Sequence, residues 1–374
     1  MAEILIAGYY GFHNAGDEAM LAGLRRAIRE LRPDVTFTAI SGTASQTRNL
    51  HGIRAVSRSD LRAIWEAIGR ADLVMFGGGS LLQDVTSSRS LIYYLGLATM
   101  AWLRRKPVMF CAQGIGPVTR PLGRAMVPLI VNRAALITAR DPEAAETFRR
   151  LGVTRPPVTV TADAALVLGP ADRETGEALL RQAGVELDRP LIGVSVRPWK
   201  PGPEPMEPRL AEALDKLARE AGARVVFIPM QQPKDVDASR AVTAHMREPA
   251  VVLNGAHTYE DLRAVIARCD LVVGLRYHSL VFAAMSGVPL VGLSYDPKND
   301  AFLRQIGMEA AGSTERLDPA AVVAAGRRAL AEAPAVRADL LRQMDRLVPL
   351  ARLNAELAVE LLQEHVLRRH LVPQ

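Results

Sequence analysis

Cysteine is scarce in this chain of 374 residues, which contains only two. Cys111 and Cys269 each lie within or beside an apolar, strand-like run, and two residues cannot form the framework of a disulfide-rich domain. Buried thiols in a reducing compartment explain both better than a disulfide or a metal site. The histidines other than His278 lack the spacing of metal ligands, so we expect no metal and no bound cofactor.

Long hydrophobic runs are also absent. The longest, at about 91–103, is shorter than the ~20 residues that a membrane-spanning helix needs. A strand follows directly after residues 1–3, with no signal peptide, so we expect a cytoplasmic location. The run contains Trp102 and precedes three basic residues at 104–106, which is typical of a helix lying on the inner face of a membrane. A core helix with a basic end is the alternative, and the sequence favours it.

Lysine is rare among the basic residues, because only five of the 46 Lys and Arg residues are Lys. A single arginine is therefore weak evidence for anion binding, whereas a lysine within a motif carries more weight. Aromatic residues make up only 5% of the chain, and no basic run alternates with them as in proteins that bind single-stranded nucleic acid. Despite the formal net charge of +6, we expect no nucleic-acid partner.

What the sequence does contain is two blocks of alternating strands and helices. The length suits two domains of about 150 residues each, and near-continuous apolar strands between helices are typical of parallel sheets covered on both faces. We predict an α/β protein of two doubly wound, Rossmann-like domains that face each other across a cleft. The predicted N-terminal domain covers 1–180 and the C-terminal domain 185–345, and a helix in 346–374 can cross back to the N-terminal domain.

The short apolar runs are the predicted strands. Two stretches rich in turn-forming residues interrupt the alternation of strands and helices. An Asp/Glu/Gly-rich seam at about 169–190 divides the two blocks, and a Pro/Gly-rich loop follows the first strand of the second block at 198–208. The predicted strands lie at 4–7, 35–41, 73–77, 107–113, 135–139 and 158–161 in the first block, and at 191–196, 225–229, 251–254, 271–274 and 289–294 in the second.

The first strand ends in a glycine-containing turn, 8–18, and then a helix begins. The spacing is neither the dinucleotide-binding fingerprint nor a P-loop. Asp17 and Glu18 in the first turn of the helix would repel a phosphate, although they suit the helix dipole. Two interpretations stay open: Asp17 is a helix cap, or Asn14 and Asp17 are hydrogen-bond partners for a neutral, polyhydroxylated ligand such as a sugar.

Three further strand ends of the first block carry residues that suit a binding surface. The strand at 73–77 opens into Gly77-Gly78-Gly79, and the next ends at Gln113-Gly114. Arg140 closes a third, where it is placed to point into the cleft, while Asp141 before a proline is typical of a helix N-cap. Asp163 also follows a strand, and the sequence leaves its role open.

The second block places cationic residues at its strand ends. Arg197 follows one predicted strand, Arg276 and His278 follow another, and Lys298 follows a third. Guanidinium groups suit phosphate and carboxylate, and the start of a helix is a place where phosphate binds. A histidine at such a position can move a proton near neutral pH.

Taken together, these motifs resemble the polysaccharide pyruvyl transferase family. Within that family, the motifs look like those of bacterial cell-wall enzymes that place a pyruvate ketal on N-acetylmannosamine, where the ketal anchors S-layer proteins. His13 departs from the small residue expected at its position. The matching segments are Gly11-Phe12-His13-Asn14-Ala15-Gly16-Asp17-Glu18, Gly77-Gly78-Gly79, Gln113-Gly114-Ile115-Gly116-Pro117, Arg140-Asp141, Arg276-Tyr277-His278 and Tyr295-Asp296-Pro297-Lys298.

The resemblance implies a GT-B-like fold, phosphoenolpyruvate as co-substrate, and a sugar on a lipid-linked or polymeric glycan as acceptor. His278 is then the candidate acid/base catalyst, and Asp17 a carboxylate that can take a proton from the acceptor. The oligomeric state is left open. The implied donor-binding residues are Arg197, Arg276, Tyr277 and Lys298 on the C-terminal domain, together with Arg140 on the N-terminal domain. The implied acceptor-binding residues are Asn14, Asp17, Gly78, Gly79 and Gln113.

Two other functions compete with this one. A glycosyltransferase of the same fold with a nucleotide-sugar donor would usually carry an acidic residue on the helix after Arg276, but the segment 276–295 has no Asp or Glu. A non-enzymatic protein that binds glycan or nucleic acid through its positive charge is the third option, and the dilution of that charge over two domains counts against it.

Overall fold

The computed structural model describes residues 2–85, 87–199 and 205–371. The chain divides into two compact units. The first unit comprises Met1–Phe12, Asp17–Leu168 and Leu347–Gln374, and the second comprises His13–Gly16 and Gly169–Arg346. Each unit is built around one parallel sheet.

The first unit alternates strands with helices along the chain. Its elements are β1 (Glu3–Tyr10), α1 (Ala15–Leu31, of which 15 and 16 belong to the second unit), β2 (Thr36–Ser41), α2 (Ala44–His51), β3 (Arg54–Ser57), α3 (Leu61–Arg70), β4 (Leu73–Leu82), α4 (Ser88–Leu103), β5 (Val108–Ile115), α5 (Pro121–Val131), β6 (Leu136–Ala139), α6 (Pro142–Arg150) and β7 (Val158–Val160), followed by a 3-10 turn at Ala164–Leu168.

The sheet of the first unit has the strand order β3-β2-β1-β4-β5-β6-β7, all parallel. Its central strands are buried, in keeping with their apolar sequences and helices on both faces. The order reverses direction between β1 and β4, so the carboxyl ends of these two strands define a topological switch point, where α/β sheets bind ligands. The glycine-containing segments after β1 and within β4 lie there.

The second unit repeats the pattern with a smaller sheet. Its elements are α7 (Arg173–Gln182), β8 (Leu191–Ser195), α8 (Met206–Ala221), β9 (Arg224–Phe227), α9 (Lys234–Thr243), β10 (Ala250–Val252), α10 (Tyr259–Arg268), β11 (Leu271–Gly274), α11 (Tyr277–Met285), β12 (Leu290–Gly292), α12 (Pro297–Gln305) and α13 (Pro319–Ala331). The parallel strand order is β10-β9-β8-β11-β12, with the reversal between β8 and β11.

The last helix, α14 (Ala333–Leu371), belongs to the first unit from Leu347 onward. Asn354 fixes this part of the helix, because its side chain is fully buried. Its Oδ1 accepts hydrogen bonds from the hydroxyls of Thr138 (2.6 Å) and Thr161 (2.9 Å), and its Nδ2 donates to the carbonyl oxygen of Ala162 (3.1 Å). Every polar atom of that amide is therefore used inside the first unit.

Eleven of the twelve strands within the described residues coincide with the predicted runs. The exception is β3, which sequence reasoning missed because Arg-Ala-Val-Ser is too short and too polar to register as an apolar run. The seam at 169–190 was also misinterpreted, since it contains α7. Gly176 lets α7 approach α10 closely: a Cβ there would lie 2.1 Å from the carbonyl oxygen of Ala264. The first unit consequently ends at Leu168 rather than near 180.

The longest apolar run forms α4, which has two different faces. Tyr94, Leu95 and Ala98 are buried in the core, whereas Ile92 and Trp102 are about half exposed. No helix within the described ranges is long and apolar enough to cross a membrane. Of the predicted loop at 198–208, residues 200–204 lie outside the described residues, and α8 begins at Met206.

Candidate active site

The centre of the second unit's site is a buried ion pair at the carboxyl end of its sheet. Arg276 follows β11, and its Nε donates to Oδ2 of the fully buried Asp235 (2.8 Å) while Nη2 donates to Oδ1. Nη2 also donates to Oε1 of Gln231 (3.1 Å). Asp235 Oδ2 accepts the backbone N–H groups of Met230 and Gln231 as well. Arg276 therefore holds the segment after β9 in place, a task additional to the donor binding predicted for it.

The segment His13–Gly16 belongs to this second unit through its contacts with residues 230–231. The backbone N–H of Ala15 donates to the carbonyl oxygen of Met230 (2.9 Å), and Asn14 forms an antiparallel bridge with Gln231. Asn14, expected to bind acceptor on the N-terminal domain, is thus grouped with the predicted donor residues. Only the unit assigned to Asn14 changes, because backbone pairing groups the segment with residues 230–231, and its predicted contact with the acceptor stays a prediction.

Gly16 and His278 are in direct contact, although 261 residues separate them in the chain. A Cβ placed on Gly16 would lie 2.0 Å from His278 Nδ1, so only glycine leaves room for the ring. His278 is half-buried in the first turn of α11, with its ring edge-on to Tyr277 (ring centres 5.0 Å apart). The glycine motif and the histidine motif therefore form one structure, in which the imidazole in the first turn of α11 lies against Gly16 at the start of α1.

Tyr277 itself is 5% exposed and packs edge-on against Phe302 (5.5 Å). The phenol ring is thus part of the core beneath α11 and α12. This packing anchors the start of α11, and the donor contact predicted for Tyr277 stays a prediction.

Two cations meet over one aromatic ring near α12. The Arg197 guanidinium carbon lies 4.4 Å from the centre of the Tyr295 ring and Lys298 Nζ lies 5.0 Å from it. Burial raises the pKa of the Tyr295 phenol, but the charges of Lys298 and Arg197 outweigh burial and hold that pKa below its ordinary value. Asp296 caps α12 by accepting the backbone N–H of Lys298, and its carboxylate is 4.0 Å from Lys298 Nζ. The local potential is positive, as an anionic ligand requires.

Arg140 lies in the first unit and is almost fully buried. Its Nε is 3.4 Å from the Asp141 carboxylate and its Nη1 is 3.9 Å from that of Asp163. Asp141 is also the N-cap of α6, as the sequence indicated, because it accepts the backbone N–H of Ala144 (2.6 Å). Gly114 makes room for the guanidinium: a Cβ there would lie 2.4 Å from it. Two carboxylates balance the charge of Arg140. In this respect Arg140 differs from Arg197 and Lys298, which lie on the Tyr295 ring.

The predicted acceptor residues of the first unit lie at its switch point. Asp17 is 8% exposed, and its Oδ1 would be 3.3 Å from a Cβ on Gly79. Gly78 and Gly79 both have positive φ (80° and 77°), which favours glycine. Gln113 is fully buried, and its Nε2 donates to the carbonyl oxygens of Phe76 (2.9 Å) and Cys111 (3.1 Å), which ties β4 to β5, while its buried Oε1 has no hydrogen-bond partner among the described residues.

Sequence reasoning did not find the partners of two buried acids that shape these segments. Asp235 looked like an ordinary first-turn residue of α9. Glu18 accepts the backbone N–H of Gly11 (2.8 Å) and pairs with His51 Nε2 (2.8 Å), which closes the turn after β1. The side-chain partners His51 and Arg276 lie 33 and 41 residues away in the chain, so the sequence gives no sign of these two pairings. In the part of the chain that the structure describes, no group of three or more His, Cys, Asp or Glu side chains could hold a metal ion.

The fold is of a known class. The chain is similar to the Staphylococcus aureus MnaA–UDP structure (13% identity, 96% of this chain and 95% of that one, TM-score 0.65). It is also similar to Anabaena Alr3699/HepE in complex with UDP and glucose (13%, 96% and 99%, 0.66) and to Escherichia coli ADP-heptose lipopolysaccharide heptosyltransferase II (15%, 88% and 99%, 0.53). The predicted two-domain, Rossmann-like fold of GT-B type is confirmed.

The family follows from the sequence. The model of the polysaccharide pyruvyl transferase family matches residues 14–297, and this chain belongs to that family. Amylovoran biosynthesis protein AmsJ of Erwinia amylovora is 22% identical over 280 residues, which cover 71% of this chain and 66% of that relative. The matched region spans just under two thirds of the length of that relative, and the family to which the chain belongs is described as polysaccharide pyruvyl transferases.

Proposed function

We propose that this protein transfers the pyruvyl group of phosphoenolpyruvate to two hydroxyls of one sugar, forming a pyruvate ketal and releasing phosphate. The observation that carries the proposal is the positive cluster of Arg197 and Lys298 over Tyr295, in the same unit as the helix start that holds His278. A small ligand with a carboxylate and a phosphate needs more than one cation, and this unit supplies them.

The chemistry balances without a further reactant. A proton adds to the methylene carbon, and a sugar hydroxyl attacks the resulting cationic carbon and loses its proton. The carbon–oxygen bond to phosphate breaks, the second hydroxyl closes the ring, and of the two hydroxyl protons one ends on the new methyl group and one on phosphate. We assign proton transfer at the donor to His278 and acceptance of a hydroxyl proton to Asp17.

Roles follow for the other residues. In the second unit, Arg197 and Lys298 bind the donor, Arg276 positions the segment that carries Gln231, and Tyr277 supports the helix start. In the first unit, Gly78 and Gly79 give backbone access for the acceptor beside Asp17. Arg140 adds to the binding of the donor, but less than Arg197 and Lys298 do, because Asp141 and Asp163 already balance its charge.

The acceptor we propose is an N-acetylmannosamine residue of a lipid-linked precursor of a secondary cell-wall polymer, whose ketal would anchor S-layer proteins. That substrate would bring the enzyme, acting in the cytoplasm without a bound cofactor, to the inner face of the membrane. These specifics rest on the family and on the resemblance of the motifs to cell-wall enzymes.

Phosphate release tests the proposal. The protein is incubated with phosphoenolpyruvate, with and without a synthetic lipid-linked N-acetylmannosaminyl acceptor, and inorganic phosphate and the ketal are measured. We expect acceptor-dependent phosphate release with one ketal formed per phosphate. Turnover of a UDP-sugar instead, with no phosphate released from phosphoenolpyruvate, would favour the nucleotide-sugar glycosyltransferase.

A further inference from the structure

The first unit exposes an apolar face on two of its helices. α4 and α5 pack against each other, and their outward side includes five large apolar side chains that are 46–61% exposed: Ile92, Trp102, Leu103, Leu122 and Leu129. A groove of about 250 Å³ runs between the helices, with Ala98, Trp102, Leu129 and Ile130 in its wall. We call these helices and their groove the α4–α5 face. Soluble proteins rarely expose so many large apolar side chains together without a partner.

Positive charge predominates around the α4–α5 face. From Val85 to Ala139 the sequence contains seven basic residues and no Asp or Glu, whereas the net charge of the whole chain is +6. The buried Asp84 precedes this stretch and accepts the backbone N–H groups of Thr119 and Arg120. Several exposed arginines elsewhere pair with nearby acids, as Arg26 does with Glu30. Within the described residues, no ion pair joins Arg104, Arg105 or Arg124 to an acid.

Two arginines at this face lie on tryptophan rings instead. The Arg133 guanidinium is 5.0 Å from the centre of the exposed Trp102 ring, and that of Arg104 is 4.8 Å from the Trp65 ring. Tryptophan together with arginine is the combination that settles at the level of lipid headgroups, where the ring is partly dehydrated and the cation meets phosphate.

We propose that the α4–α5 face binds the surface of an anionic phospholipid bilayer, with Trp102, Leu103 and Leu129 inserted among the headgroups and the arginines against lipid phosphates. α4 has 16 residues and would lie in the membrane plane. A bilayer fits better than a second copy of this chain, because a two-fold interface would bring two acid-free, basic surfaces together.

The inference does not depend on pyruvyl transfer, since binding is measured without donor or acceptor. The protein is sedimented with vesicles of phosphatidylglycerol and phosphatidylcholine, and in parallel with vesicles of phosphatidylcholine alone. We expect binding to the anionic vesicles that weakens with added salt. The variant R104Q/R105Q/R124Q should bind them on the order of 100-fold more weakly, since each arginine near an anionic surface contributes about fivefold.

Two further variants make the test specific. R337Q/R342Q/R346Q removes the same charge from exposed positions of α14 in the second unit and should bind almost as tightly as the wild type. L103S/L129S keeps the charge and should lose at least tenfold in binding. Equal loss in both arginine variants, or no preference for anionic vesicles, overturns the proposal. A dimer in light scattering that L103S/L129S dissociates, with vesicle binding unchanged, overturns it in favour of a second copy.

Discussion

Two tyrosines, one in each unit, respond to burial in opposite ways. In the first unit, burial raises the pKa of Tyr94 well above its ordinary value, and the charge of Arg58 does not overcome that effect. In the second unit, Lys298 and Arg197 lie over Tyr295 and lower its pKa despite burial. The difference shows that the strand ends around Tyr295 stabilise negative charge. The apolar surroundings of Tyr94 do not.

The arginines show the same contrast. Arg140 in the first unit is balanced by Asp141 and Asp163, and Arg276 in the second by Asp235. Arg197 and Lys298 lie instead on an aromatic face, and within the described residues the Asp296 carboxylate is 4.0 Å from Lys298 Nζ. We infer that the balanced arginines chiefly fix the structure, and that the cations at Tyr295 are available to an anionic substrate.

Replacing His278, the residue of the second unit to which we assign proton transfer, should have the largest effect on turnover. H278A should lower turnover of phosphoenolpyruvate by about 10²–10⁴-fold, because that is the usual contribution of a general acid/base, while calorimetry shows donor binding largely retained. H245A, which removes an exposed histidine of the same unit, is the control and should keep wild-type turnover. Near-normal turnover of H278A would show the assignment to be wrong.

The next largest effect is a loss of stability when Arg276, the arginine of the second unit that Asp235 balances, loses its partner. D235A leaves the Arg276 guanidinium buried without its carboxylate, so the free energy of unfolding should fall by about 3–5 kcal/mol. E220A removes the exposed partner of Arg327 and should cost less than ~1 kcal/mol. Urea denaturation followed by fluorescence measures both. Equal losses would mean that Arg276 is not held as a structural cation.

A smaller effect tests the contact between the two motifs. G16A places a methyl group against the His278 ring, and displacing a catalytic group by about 1 Å can cost ~10²-fold in rate. We expect kcat to fall by that order while the protein stays folded. The matched change G96A meets nothing within 4 Å and should leave kcat with a soluble acceptor unchanged. If both variants keep full kcat, the Gly16–His278 contact does not position the ring.

The smallest effect is the titration of Tyr295. Because its folded pKa is lowered, the phenolate contributes stability that is present above the unfolded value of about 10 and is lost as the pH falls through the folded pKa. Absorbance titration should show one tyrosine ionising before the rest, absent in Y295F and shifted upward in K298Q. A K298Q curve identical to that of the wild type would contradict a positive field at this ring.

Sequence reasoning located elements whose signal is local. The apolar run Leu271–Gly274 directly before Arg276 and His278 places both residues at a strand end, and the structure agrees. It failed where the signal depends on distant partners: the seam before 190 contains α7, and Asp235 receives Arg276 from 41 residues away. Periodicity reports which face of an element is buried, but not which distant backbone lies against it, so the grouping of Asn14 with Gln231 could not be predicted.

The amide of Asn354 has a practical consequence for anyone who wishes to study one half of this protein alone. A fragment that stops at residue 168 would lack the helix that receives the hydroxyls of Thr138 and Thr161, and would expose the apolar surface it covers. The first unit is built from separate segments of the chain, and its last segment begins at Leu347. Producing this unit by itself therefore requires that segment to be supplied by fusion or co-expression.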